Sequence, residues 1–423
     1  MGSIESQDSP YGLATIPKAP ADFLMGLKKD FLADESTQKV ALVVGAYRDD
    51  KGRPWRVPAV MEAEKRYFED SSYFKHEYSP ILGISEFTHA ASQVLLGKDS
   101  PALAEGRVCS VQTLSGTGAL HIGALLLTRF LPSPTPWAFV PAPTWHLHRQ
   151  CFEHVGLTVK DYPYYDGVTK SLTFSAMESA LRSAPPGSVV LLQVCAHNPT
   201  GLDLDEEQWR LIVSLVQEQR LFPFLDCAYQ GFASGSLTKD NLAIRLFIEA
   251  GVEMVIAQSF SKTMGLYGQR VGCFHYVAAA HSDAPGVVER VASQLAILIR
   301  SEMSAAPSYG PRVASIVLND SELYAEWERN LVTMSSRITE MRWKLRQELE
   351  KLETPGTWKH LTDQIGMFGF TGLTPAQCQR MKSKHHIHLP SSGRMSISDL
   401  NTANVARVAM SIDEVVRWGL ACT

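Results

Sequence analysis

Met254-Val255-Ile256-Ala257-Gln258-Ser259-Phe260-Ser261-Lys262 begins as a short, continuously apolar run and ends in two hydroxyls and a lysine. A run too short and too uniformly apolar for an amphipathic helix predicts a strand buried on both faces. Beyond Lys262 come Gly265-Leu266-Tyr267-Gly268-Gln269-Arg270-Val271-Gly272 and a second apolar run, 271–276. Three more runs of this kind lie at 137–140, 189–194 and 222–225, with helical patterns such as 205–219 between some of them. The alternation predicts an α/β domain built on a mostly parallel sheet.

In open α/β sheets, ligands bind just outside the carboxyl ends of the strands, and the chain's unusual polar residues fall there. A lysine held at a strand end is a candidate for covalent chemistry with an aldehyde cofactor. The hydroxyls and Arg270 beside it suit a phosphate dianion. Ser115-Gly116-Thr117-Gly118-Ala119-Leu120 opens a helical stretch and offers free N–H groups and hydroxyls to an anion. It is not a dinucleotide fingerprint, because His121 stands where the third glycine belongs. Phe224-Leu225-Asp226-Cys227-Ala228-Tyr229-Gln230 places an acid and then a tyrosine at another strand end. A carboxylate facing a pyridinium nitrogen keeps that ring protonated and electron-withdrawing. Cys195-Ala196-His197-Asn198-Pro199-Thr200-Gly201 is a polar turn at a further strand end. Taken singly, these segments also read as an exposed lysine, a glycine turn and a turn closing a βα unit.

In order and together, the blocks resemble the class I aminotransferases, in their aspartate aminotransferase branch. The likeness includes Ala19-Pro20-Ala21-Asp22, Val44-Gly45-Ala46-Tyr47-Arg48-Asp49-Asp50, His76-Glu77-Tyr78, Pro143-Thr144-Trp145, 367–373 and Ser392-Gly393-Arg394, and spans nearly all of the chain beyond about residue 13. It implies the fold type I architecture: a large domain with a mostly parallel seven-stranded sheet sandwiched by helices, and a smaller α+β domain. The implied divisions are an arm at 1–20, a segment at 21–55 packing with the small domain, a cofactor domain at 56–325 and a small domain at 326–423. The implied cofactor is pyridoxal 5′-phosphate. Lys262 would link to it covalently and shuttle the substrate proton, Asp226 would pair with the ring nitrogen, and Asn198 and Tyr229 would hydrogen-bond the ring oxygen. Ser115, Gly116, Thr117, Ser259 and Arg270 would hold the phosphate, with Tyr78 reaching in from a partner subunit. Trp145 would stack on the ring and line the substrate pocket. Arg394 would grip the substrate α-carboxylate, Arg300 the distal carboxylate across a homodimer interface, and Gly45 would lie on a closing loop. The implied activity is reversible amino transfer between L-aspartate and 2-oxoglutarate, giving oxaloacetate and L-glutamate.

Departures from the family pattern cluster around these residues. Trp145-His146-Leu147-His148 replaces Trp-Gly/Pro-Asn-His, Gln193 replaces a histidine, and Met303-Ser304-Ala305-Ala306-Pro307 replaces Tyr-Ser-Asn-Pro-Pro. Leu42-Val43-Val44-Gly45 and, after Arg394, Ser396-Ile397-Ser398-Asp399 also differ from the usual pattern. The expectation is a loss of hydrogen bonds that orient the groups touching the ligand, and hence a reshaped pocket. Slow aspartate turnover, another acidic substrate, or β-elimination, β-replacement or decarboxylation would follow. An inert relative kept for binding is a third reading, opposed by the intact set Lys262, Asp226, Tyr229, Arg270 and Arg394.

Composition bounds the rest. The 423 residues are 45% hydrophobic and 20% charged with net charge −4, which argues against a nucleic-acid surface. No apolar stretch reaches the roughly 20 residues of a membrane span; the run 119–131 is interrupted by His121, Thr128 and Arg129. The first residues predict neither a transit nor a secretory peptide, although Met1 to Ser6 fits a loose myristoylation pattern. Seven cysteines without a C-x-x-C pair predict reduced thiols and a cytoplasmic protein. His146, His148 and His154, and His385, His386 and His388, come without a recognisable ligand set, so no metal is expected. The stretch 319–351 carries apolar residues in steps of three and four and predicts one long helix with Asn319 as its cap.

Overall fold

The computed structural model describes residues 13, 16–20, 23–74, 76–131, 137–281 and 283–421. Most of the expected arm at 1–20, and the myristoylation pattern, lie outside these residues. The central sheet has seven strands: β1 (Val108–Leu114), β2 (Trp137–Ala142), β3 (Thr158–Pro163), β4 (Val189–Gln193), β5 (Phe222–Cys227), β6 (Met254–Ser259) and β7 (Val271–Val277). Their order across the sheet is β1-β7-β6-β5-β4-β2-β3. Neighbours from β6 to β3 run parallel, and β7 is antiparallel to both β6 and β1. The five runs read as strands are all strands. Several extend past the apolar residues into Asp226, Cys227, Gln258 and Ser259, because ladder hydrogen bonds continue where the side chains turn polar. β1 and β3 escape the apolar-run criterion. Both are edge strands, and β3 exposes most of its side chains.

Helices cover the sheet. α1 (Ser115–Phe130) follows β1 directly, and Gly123 lets it settle on the sheet, where an added Cβ would come within 2.6 Å of Phe224 and 2.7 Å of Phe274. α2 (His146–His154) follows β2, and α3 (Glu206–Glu218) follows β4 with Asp205 and Gln208 forming a capping box. α4 (Ala284–Glu302) ends in the segment that carries Arg300. The long helix α5 (Ser321–Lys351) buries Leu323, Trp327, Leu331, Met334, Ile338, Met341, Leu345 and Leu349, the stripe read from the sequence. Its cap is Asp320, not Asn319: the Asp320 carboxylate accepts from the N–H groups of Glu322 and Leu323 at 3.0 and 2.9 Å. Asn319 instead closes the preceding helix, Tyr309–Asn319.

The chain beyond α5 forms the antiparallel pair β8 (Phe368–Phe370) and β9 (Arg394–Ser396), and a terminal helix α6 (Val405–Ala421) that packs on α5. A second two-stranded ladder joins Val40–Ala41 to Ile387–His388 in parallel, tying the N-terminal segment to the C-terminal one. No helix among the described residues is long and apolar enough to cross a membrane.

Candidate active site

One cavity of about 250 Å³ collects residues from the ends of β1, β4, β5 and β6, the start of β7, and β9. Gly45, Ser115, Gly116, Thr117, Trp145, Asn198, Asp226, Tyr229, Ser259, Lys262, Arg270 and Arg394 all line it. Two of the expected site residues do not. Tyr78 is 85% exposed, and Arg300 is an exposed residue near the end of α4 that donates to Ser304 Oγ.

At one end, Ser115 Oγ lies 3.0 Å from Ser259 Oγ and 2.8 Å from Ser261 Oγ. Arg270 reaches the same group, with Nη1 at 3.5 Å from Ser261 Oγ and 3.0 Å from the Tyr267 carbonyl. Burial pulls its guanidinium below the ordinary value, and among the described residues no carboxylate pairs with it. A glycine is required beside this cluster: a Cβ on Gly272 would sit 2.4 Å from the Ser115 carbonyl carbon. Ser115 adopts a left-handed φ of 63° as it opens α1. Hydroxyls, a helix N-terminus and an uncompensated cation together form a dianion cradle.

In the middle, Asp226 Oδ2 lies 2.9 Å from Nε2 of the fully buried His148. His148 Nδ1 lies 2.7 Å from Thr144 Oγ1. Lys262 Nζ sits 5.2 Å from the centre of the Tyr229 ring. Its ammonium is pulled below the ordinary value, first by burial and then by Arg270, with Asp226 opposing. Burial, reinforced by Asp226, pushes the Tyr229 phenol well above its ordinary value, so it remains a donor. Asn198 presents a buried Oδ1 without a partner.

At the other end, Arg394 donates from Nη2 to the Val43 carbonyl at 2.8 Å and its guanidinium lies 4.3 Å from the Phe368 ring centre. Its Nε is unpartnered, and no carboxylate pairs with it among the described residues. The loop bearing Gly45 is fastened to the segment after Arg394. Ser396 N donates to the Leu42 carbonyl, Ser396 Oγ to that of Val44 at 3.0 Å, and Ser398 Oγ to that of Ala46 at 3.1 Å. Arg48 then pairs with Asp399 at 3.1 Å, whose carboxyl is pushed up to about 7 by burial. Thus Ser396, Ser398 and Asp399, which depart from the family pattern, all make polar contacts with the 42–48 segment. With a net worth of roughly 1 kcal/mol per hydrogen bond, a Ser396→Ala, Ser398→Ala double variant is expected to raise KM for the amino donor on the order of tenfold with a smaller change in kcat. Hydrogen exchange of the amides at 43–47 should quicken in parallel, and unchanged exchange would show that the hydroxyls do not hold the loop.

Gln193 corrects the expectation of lost hydrogen bonds. Its amide accepts from Asn198 N at 2.8 Å and donates to the Asn198 carbonyl at 3.0 Å and to Thr144 Oγ1 at 3.1 Å. Ser261, one of the two hydroxyls expected to suit a phosphate, lines the cavity, as do Tyr267, Leu120 and Phe368, to which the sequence assigned no role. The alternation Ser259-x-Ser261 at a strand end was a signal for the first; nothing local marks the others. Among the described residues no group of three His, Cys, Asp or Glu side chains could hold a metal ion; His148 faces Asp226, His385 faces Glu414, and His386 and His388 face Asp34.

The family model for aminotransferases of classes I and II matches residues 37–412. The chain belongs to that family. Among similar proteins, a cytoplasmic aspartate aminotransferase of Schizosaccharomyces pombe is 45% identical to this aminotransferase over 97% of the chain and 99% of its own length. An L-tyrosine:2-oxoglutarate aminotransferase of Aspergillus ustus is also 45% identical, over 95% of the chain and 78% of its own length. An aromatic-amino-acid aminotransferase of Burkholderia pseudomallei, solved covalently bound to pyridoxal phosphate, superposes with a TM-score of 0.92 at 38% identity, covering 97% of this aminotransferase and all of that chain.

Proposed function

We propose that this chain is a cytoplasmic aspartate aminotransferase that works with pyridoxal 5′-phosphate and exchanges an amino group between L-aspartate and 2-oxoglutarate, giving oxaloacetate and L-glutamate. One observation carries the reading: a single cavity holds a dianion cradle, a carboxylate, a lysine of lowered basicity and a second uncompensated arginine, Arg394.

The residues present fit the cofactor. Ser115, Gly116, Thr117, Ser259 and Arg270 would hold its phosphate, and Asp226 its ring nitrogen. The unpartnered Asn198 side chain and the Tyr229 phenol would hold its ring oxygen, Trp145 would cover a ring face, and Lys262 would provide the covalent link. When bound, the cofactor supplies an electron sink that acidifies the substrate Cα proton. The remaining work falls to the chain. Arg394 orients the substrate by a two-pronged grip on the α-carboxylate. Lys262 Nζ, made easier to deprotonate by its surroundings, takes the Cα proton and delivers it again. The Gly45 loop and Phe368 shield this transfer from water; an added Cβ at Gly45 would stand 2.6 Å from the tip of the Phe368 ring, so a larger residue there would have to displace the ring.

The exposed Tyr78 and Arg300 fit service in the cavity of a second copy, so the reading includes a homodimer with shared sites. It also keeps 56–325 as the cofactor domain and 326–423 as the small domain, with 21–55 packed on the latter.

A second reading takes an aromatic amino donor. It is favoured by the tyrosine and aromatic specificities named for two relatives and by the apolar Leu120, Trp145 and Phe368 walls. The absorbance spectrum of the chain loaded with pyridoxal phosphate tests both. Adding L-aspartate alone should convert the visible pyridoxal band to the near-ultraviolet pyridoxamine band and release oxaloacetate. Conversion by L-tyrosine but not L-aspartate would replace the first reading with the second.

A further inference from the structure

We infer that Gln193 is a positioning residue that, acting through Thr144, fixes His148 as the neutral tautomer with its proton on Nε2. Asp226 then receives its hydrogen bond from an uncharged donor. The proposed function enters only in making Asp226 the residue opposite the ring nitrogen.

The hydrogens available along this line allow one arrangement. Gln193 ends β4 and lies in register with Asp226 on β5. Its amide meets both backbone groups of one residue: Asn198 N–H points to Oε1 at 2.8 Å, and the Asn198 carbonyl accepts from Nε2 at 3.0 Å. A backbone N–H can only donate and a carbonyl can only accept, so the amide has a single possible orientation. The second Nε2 hydrogen is therefore directed at Thr144 Oγ1, 3.1 Å away. Thr144 Oγ1 thus accepts from Gln193, and its own hydrogen points to His148 Nδ1 at 2.7 Å. If Nδ1 carried a proton instead, the hydroxyl hydrogen would have no other acceptor among the described residues. With Nδ1 serving as acceptor, Nε2 bears the ring proton and donates it to Asp226 Oδ2 at 2.9 Å.

Three of the four links are buried and Thr144 is partly so. Gln193 is 6% exposed, His148 is completely buried, and the Trp145 ring meets the imidazole edge to face at 5.4 Å. A glutamine cannot change its charge with pH, so its own donation to Thr144 Oγ1 keeps one direction. A neutral imidazole leaves the charge of Asp226 available to a cationic ring nitrogen, where an imidazolium would compete for it.

The test is nitrogen NMR of the full chain loaded with pyridoxal phosphate and labelled with 15N-histidine, with the His148 signals identified by their loss in His148→Gln. The expected result is an imine-type Nδ1 and a pyrrole-type Nε2. A protonated Nδ1, alone or together with Nε2, overturns the inference. In Gln193→Met, which keeps the length but has no amide, the single-tautomer pattern should be lost and a population protonated on Nδ1 should appear. An unchanged pattern there would remove Gln193 from the role. Should Gln193→Met fail to fold, Thr144→Val interrupts the same line one residue later with little change of shape and carries the same two outcomes. Band conversion by L-aspartate in the unmodified protein reports on the proposed function separately, so either idea can fail while the other stands.

Discussion

Lys262→Ala lowers the turnover number by about four orders of magnitude or more, the scale of a lost general base that also forms the covalent link to the cofactor. The protein should still fold. Burial and the neighbouring Arg270 pull the Lys262 ammonium below its ordinary 10.5. A cation whose folded value is depressed opposes folding fully at low pH, and this opposition fades as pH rises toward the unfolded value. Alanine removes it, so without cofactor the variant's melting temperature at neutral pH should equal or exceed that of the parent. The same depression places the acid limb of the rate profile below pH 10.5, because the amine must be neutral to take a proton. Lys262→Arg keeps the charge and cannot shed it, so it should be as inactive as alanine. A Lys262→Ala protein that turned over within tenfold of the parent would move the proton transfer to another group.

Mixing two inactive proteins should restore activity. On the proposed reading, each cavity uses its own Lys262 and the other copy's Arg300. Arg300→Ala should lower kcat/KM for dicarboxylic substrates on the order of 100-fold or more, the cost of about 2–5 kcal/mol for truncating one member of a desolvated charge pair. Lys262→Ala should be inactive by itself. When the two chains are coexpressed, the hybrid has one cavity with both defects and one with neither, so each hybrid dimer should show about half the activity of a parent dimer. The expectation depends on Arg300 standing outside its own cavity, exposed near the end of α4. Mixtures no more active than the sum of their parts would mean that Arg300 acts at home or not at all.

The apolar centres of five strands, and the polar residues that follow them, could be read because burial on both faces leaves an uninterrupted run and because strand ends are where such sheets bind ligands. Lys262 and Asp226 come together for that reason, whereas Ser115, after the edge strand β1, was marked by the glycine-rich opening of α1. Less was legible wherever the deciding fact lay elsewhere in the chain. Asn319 and Asp320 are both good caps, and the choice depends on where the preceding helix stops. The serines after Arg394 look like losses in sequence, yet their acceptors are the carbonyls of Val44 and Ala46, 352 positions away. Gln193 looks like a missing histidine. Its actual work depends on the direction of one amide within a turn that no periodicity describes.

The reversed strand β7 divides the site into parts with different tolerance to partial unfolding. A parallel strand would need a crossover of a dozen or more residues and would begin at the far end of the sheet. The antiparallel β7 instead returns through 260–270 and starts where β6 stops, so Lys262 and Arg270 share one compact, largely local connection. The carboxylate grip has no such local support. Arg394 meets Val43 only because chain segments 351 positions apart are held together. Mild denaturant or limited proteolysis that releases the C-terminal segment should therefore leave a protein that still retains phosphate after it has stopped recognising amino acids.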